Sequence, residues 1–240
     1  MALLAHQPAR PARARRRGGG HNPLLAPILL FAAVVAIGVA YVAYVLWPRW
    51  PEVPVARNAP SLPIVVAGTA FNIEPAAIRQ AVQRKPGAQD RIDLAYLWPS
   101  LLPPDPGLKP TVGAPVDPNE RLFVTIQSGE LTLAPMERVQ TIYPRYLADE
   151  TAAGPQGLSI RAFRDGTAYQ GEDLVFETQA PEHFVARCTR HGVVNAGSCL
   201  LERRVGEADV TIRFPRDWLG DWENLAAGID KLMARLVPQP

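Results

Sequence analysis

The chain has 240 residues, 48% of them hydrophobic and 20% charged, with a net charge of +2. That balance excludes a disordered chain and fits a membrane anchor joined to one domain of ordinary size. Residues 1–21 hold Arg10, Arg13, Arg15, Arg16 and Arg17 and no acid, so the net +2 of the whole leaves −3 for the remainder. A folded part that is slightly acidic argues against nucleic acid as a partner. The 25 prolines come in short clusters that punctuate the chain into many turns.

The first predicted element is a transmembrane helix over residues 24–47, Leu24 to Trp47, a run without a charged side chain. At about 1.5 Å per residue, ~20 apolar residues cross a hydrocarbon core of about 30 Å. Pro27 falls in the first turn, where its missing N–H costs least. Tyr41, Tyr44, Trp47 and Trp50 gather at the far end as an interfacial aromatic belt. A cleavable signal peptide has a shorter core and a small-residue cleavage site, and neither is present here. A twin-arginine signal is a weaker alternative, because the glycines after the arginine run suit it poorly. The lipid bilayer is therefore the first expected partner.

Orientation follows from the arginines before the span. Arg13, Arg15, Arg16 and Arg17 mark residues 1–23 as a cytoplasmic tail under the positive-inside rule. Everything after the span then lies outside, which in a bacterium is the periplasmic side of the inner membrane. Ala32, Ala36 and Ala40, with Gly38 beside them, put small residues at a spacing that lets two such helices approach, so self-association through the span is a second expectation.

Residues 48–63 contain five prolines and read as a stiff, extended tether. From residue 64 to 240 the pattern predicts one α+β domain with a mainly antiparallel sheet and a covering C-terminal helix. In chain order the sequence predicts a strand at 62–68, a helix at 75–85 and a strand at 91–98. A long proline-rich loop at 99–119 leads to a strand at 121–127 and a short helix at 135–143. Asp165–Gly166 is a turn signal between strands at 158–163 and 168–178, and strands at 183–188, 199–205 and 208–215 complete a meander. The last element is a helix from Asp217, read as its N-cap, to Val237. Trp218, Trp222, Leu225, Ile229, Leu232 and Leu236 form one apolar stripe along it, placed to cover the sheet.

Cys188 and Cys199 are the two cysteines of the chain. In an oxidising compartment they read as a disulfide at the base of a long hairpin loop. A zinc site built from Cys188, His191, Cys199 and His183 lacks the second closely spaced ligand pair. A redox-active pair would be more closely spaced, as Cys-x-x-Cys.

Chemistry is less legible. Glu172 and Asp173 are adjacent, so on a strand they face opposite ways, which suits a turn or edge feature better than a carboxylate pair. Arg187, Arg190, Arg203, Arg204, Arg213 and Arg216 read as a solvated basic face. No catalytic, metal-ligating or phosphate-cradling motif stands out, and no cofactor is expected. The sequence points to a membrane-anchored, non-enzymatic interaction or accessory protein of the bacterial inner membrane, whose partner is another envelope protein. The alternative is an anchored hydrolase acting on cell-envelope polymers.

Overall fold

The computed structural model describes residues 25–46, 55–56, 58–105, 120–129, 133–190 and 197–238. The chain divides into two compact units, Met1–Glu52 and Val53–Pro240. In the first, helix α1 runs Leu25–Leu46 without a charged residue. Its apolar side chains are exposed all round, with Tyr41 and Tyr44 among them. A helix that is apolar on every side and buried on none has the composition of a membrane span. Arg13, Arg15, Arg16, Arg17, Trp47 and Trp50 lie outside the described residues.

The second unit has mixed α+β architecture. A small sheet holds β1 (Leu62–Val66), β2 (Thr69–Ile73) and β3 (Gly87–Ala88) in the order β2-β1-β3. The large sheet holds β4 (Arg91–Leu97), β5 (Arg121–Ser128), β6 (Leu147–Ala153), β7 (Leu158–Phe163), β8 (Glu172–Glu177), β9 (Val185–Thr189), β10 (Ser198–Val205) and β11 (Ala208–Pro215). Its order is β4-β5-β11-β10-β9-β8-β7-β6. Every neighbouring pair is antiparallel, so strands β6 to β11 form one continuous meander. Gly206, with φ +56°, and Glu207 make the two-residue turn between β10 and β11.

Alternation along the strands gives the sheet two unlike faces. On one face Leu94, Val124, Ile126, Val210, Ile212, Phe214, Leu201 and Ala186 are all buried. Helix α3 (Trp222–Leu236) covers this face, and Trp222, Leu225, Ile229, Leu232 and Leu236 join the same core. The small sheet contributes Ile64, Val66, Phe71 and Ile73 to that core. A Cβ on Gly228 would lie 2.9 Å from Cζ3 of Trp98, so a glycine here lets the indole lie directly on α3. On the opposite face, helix α2 (Pro135–Thr141) and the turn after it bury Tyr143 and Leu147 against Phe163 and Leu174.

Three expectations change. The segment 75–85 is not a helix; it forms two short 3-10 turns, Pro75–Ala77 and Ala81–Gln83. Between them Ile78 bridges Leu94 and the Arg79 N–H donates to the Asp93 carbonyl at 2.9 Å. Eleven residues with two apolar positions make a marginal helix, and the open edge of β4 offers backbone bonds instead. A helix would put Val82 on the same face as Ile78; instead Ile78 is buried and Val82 is exposed. The C-terminal helix begins at Trp222, because Arg216–Asp221 is a 3-10 turn; Asp221 takes the N-cap position without a side-chain cap bond. The tighter turn places Trp218 against Trp98 at 5.4 Å between ring centroids, and also against Phe214. Finally, β2, β3 and β6 lie in segments for which the sequence predicts no strand, and the loop at 99–119 is described only as far as Asp105.

Asp93 pins this end of the sheet. It is buried, accepts from Arg91 Nη2 at 2.8 Å and Thr125 Oγ1 at 2.9 Å, and its N–H donates to the Gln83 side chain. The hydrogen bond from Arg91 is the main cause that holds its carboxyl below the ordinary carboxylate value, against desolvation and with help from Thr125. A carboxyl depressed in the folded state favours folding above its unfolded value of about 3.9, and loses that contribution as pH falls through the lower folded value. We expect Asp93→Asn to lower stability at pH 7 by about 1 kcal/mol and to flatten the acid limb of the stability profile. Urea unfolding between pH 2 and pH 7 checks this, and a variant with the wild-type pH slope would contradict it.

Candidate functional site

The β9–β10 ladder has three register pairs, Cys188↔Cys199, Arg187↔Leu200 and Ala186↔Leu201. β10 then continues to Val205 against β11. The chain before Val185 instead follows β8, with the Glu177 N–H donating to the Phe184 carbonyl at 2.9 Å. Two local features pull it away. Pro181 lies in a turn closed by the His183 N–H on the Ala180 carbonyl, and Phe184 is buried with its ring centroid 5.2 Å from that of Trp222. The sheet therefore splits beyond Leu201.

The split opens as a groove of about 320 Å³. Glu182, His183 and Val185 form one wall, Leu201, Glu202, Arg203 and Arg204 the other, and Pro135 and Met136 at the start of α2 lie over it. Most of its charges are committed. Arg203 pairs with Asp230 of α3, and Arg204 Nε meets Asp209 Oδ1 at 2.8 Å. Glu202 meets Arg138 of α2 at 3.2 Å, and His183 Nδ1 lies 2.7 Å from Glu177 Oε2. Glu182 is exposed and makes no ion pair or side-chain hydrogen bond among the described residues. The groove thus offers a strand that outlasts its partner, an apolar floor at Leu201 and Val185, and an uncommitted carboxylate at the rim.

The cysteines sit at the other end of the same ladder. Cys188 and Cys199 are bonded to each other and fully buried. Asp173 lies opposite Cys188 in the β8–β9 register and is also buried. It accepts from Arg190 Nε at 2.8 Å and from Arg216 Nη2 at 2.7 Å. Arg190 further reaches the Phe163 carbonyl and Arg216 the Thr189 carbonyl, so one carboxylate ties β7, β8, β9 and β11 around the disulfide. His191 falls outside the described residues, and among those that are described there is no group of three or more His, Cys, Asp or Glu able to hold a metal.

Two readings of individual residues are corrected here. Asp173 is no turn or edge feature, since it lies in β8 between Ala162 of β7 and Cys188 of β9, whereas Glu172 opens the strand with its N–H donating to the Tyr169 carbonyl. They do face opposite ways, and Glu172 pairs with Arg187 at 2.9 Å on the side away from Asp173. The arginines are no freely solvated basic face either. Arg187, Arg190 and Arg216 meet Glu172 or Asp173 of β8, Arg203 meets Asp230 of α3 and Arg204 meets Asp209 of β11, while Arg213 is exposed as expected. The register puts Arg204 directly opposite Asp209 and Arg187 diagonal to Glu172, pairings that are invisible until the register is known. The groove itself was not anticipated from sequence. Pro181, just before the β9 run, was the signal for it.

No protein-family model matches the sequence, and no curated protein matches it. Among solved structures, the immunity protein Smlt3025 of the Stenotrophomonas maltophilia type IV secretion system has a similar fold. Its TM-score is 0.51 at 13% identity, over 75% of this chain and 94% of that one. The iron-regulated outer membrane lipoprotein FrpD of Neisseria meningitidis aligns at a TM-score of 0.38 and 10% identity, over 75% of this chain and 96% of that one. At 13% identity the likeness to the immunity protein is one of fold.

Proposed function

We propose that this chain is a membrane-anchored interaction protein of the bacterial envelope, held in the inner membrane by α1 and binding another envelope protein with its outer domain. Residues 1–23 are the cytoplasmic tail, 24–47 the span, 48–63 the tether and 64–240 the periplasmic domain. The observation that carries the reading is the pairing of an apolar helix exposed on every side with a unit that contains a buried disulfide. A hydrophobic anchor followed by a crosslinked domain suits a position between the membrane and an oxidising space. The arginines before the span and the shared fold with a protein described as an immunity protein of a secretion system support the same reading. The bilayer is the first partner. A second copy, docked through Ala32, Ala36 and Ala40, is compatible with the span's small-residue face.

The test is purification of the full chain from its own host in a gentle detergent, followed by activity assays of the same preparation on envelope polymers. The proposal expects a second envelope protein in fixed ratio and no polymer turnover. A chain that purifies alone and degrades a polymer would refute it.

A further inference from the structure

We propose that the split between β9 and β10 is a docking site for an extended, basic segment of a partner protein, which adds as a strand along β10 beyond Leu201. This rests on the interaction reading above and names the surface and chemistry it uses.

The first observation is the ladder itself. β10 runs to Val205 while its pairing with β9 stops at Leu201, and an accessible groove of about 320 Å³ opens where the pairing stops. A strand that outlasts its neighbour is a template for strand addition, in which main-chain hydrogen bonds give affinity and alternate side chains give specificity. The groove is large enough for several side chains and has an apolar floor at Val185 and Leu201 on which those side chains can pack.

The second observation is charge. The arginines of the groove are held by acids of their own, Arg203 by Asp230 and Arg204 by Asp209. Glu182 at the rim is exposed and has no such partner among the described residues, while His183 beside it is held by Glu177 and Glu202 by Arg138. The uncommitted charge there is negative, so the complementary strand carries lysine or arginine facing Glu182.

Of the two outer strands of the large sheet, β4 is already bonded by Ile78, Arg79 and Leu102, and β6 is a poorer template. β6 shifts register between Leu147 and Thr151 and carries Asp149 and Glu150 there, devices that guard an edge against pairing.

The experiment uses the full chain in phosphatidylcholine nanodiscs and three capped hexapeptides. One alternates lysine with valine, one alternates glutamate with valine, and one is the lysine peptide with alternate backbone amides methylated. Fluorescence anisotropy reads affinity, and hydrogen exchange reads the amides of Ser198–Val205. The lysine peptide is expected to bind at least about fivefold tighter than the glutamate peptide, the worth of a favourable surface charge contact. It should slow exchange at the distal end of β10, and methylation should abolish binding. Glu182→Lys should reverse the preference. Absence of binding, binding that survives methylation, or protection at Leu147–Ala153 instead would overturn the proposal. A retained partner without peptide protection at β10 refutes this site alone. Peptide binding by a chain that retains no partner refutes the interaction reading and leaves the site.

Discussion

Trp222→Ala is expected to cost the unit Val53–Pro240 about 4 kcal/mol, the range seen when a buried tryptophan is truncated to a methyl. Trp222 is 3% exposed and begins α3. It packs on Phe184 and donates its indole N–H to the Gln156 carbonyl at 3.0 Å. Truncation therefore opens a cavity between α3 and the sheet and strands a carbonyl at the same time. For a unit of this size the loss lowers the melting temperature by about 10 °C. Trp222→Phe keeps most of the packing and loses only the hydrogen bond, so it should cost about 1–2 kcal/mol. Thermal unfolding of the full chain followed by near-ultraviolet circular dichroism measures both. If Trp222→Ala were within about 0.5 kcal/mol of wild type, α3 would not be the cover of the sheet.

Loss of the disulfide is the second large effect. Cys188 and Cys199 lie 11 positions apart in sequence and opposite each other in the β9–β10 ladder. A crosslink that closes a loop of this length restricts the unfolded chain by about 2–3 kcal/mol. The double variant Cys188→Ala with Cys199→Ala should lose that amount, and wild-type protein treated with dithiothreitol should approach the same stability. The region that loosens should be the ladder just short of the groove. Three register pairs join β9 to β10, and the Thr189 hydroxyl on the Ser198 backbone and the Asp173 cluster are further ties beside the disulfide. Hydrogen exchange at Val185–Thr189 in the reduced protein reads this, and unchanged protection there would show that the Asp173 ion pairs and the Thr189–Ser198 bonds hold the ladder without the crosslink.

What could be read from sequence depended on whether a segment's own pattern decides its structure. β7 and β11 were read to the residue, because Leu158–Phe163 is followed by Asp165–Gly166 and Val210, Ile212 and Phe214 alternate with polar positions. The apolar stripe of α3 was legible for the same reason, and its burial against the sheet follows the expectation. β6 was not legible. Leu147–Ala153 is rich in alanine and acid, and it is a strand because β7 offers it an edge. The segment 75–85 failed in the opposite sense, since its helix-like composition yielded to the edge of β4. The disulfide needed only two cysteines and a compartment. The groove required the knowledge that β10 outlasts β9 and that Phe184 turns toward Trp222, contacts set by partners far away in sequence.

The account stands on the outer domain folding in an oxidising space, and the state of its two sulfurs in the living host reports this most directly. The full chain is precipitated with acid from intact cells, unfolded, and alkylated with and without prior reductant. The account predicts that Cys188 and Cys199 take up label only after reduction. Label on both sulfurs without reductant would place the domain on the reducing side and contradict it.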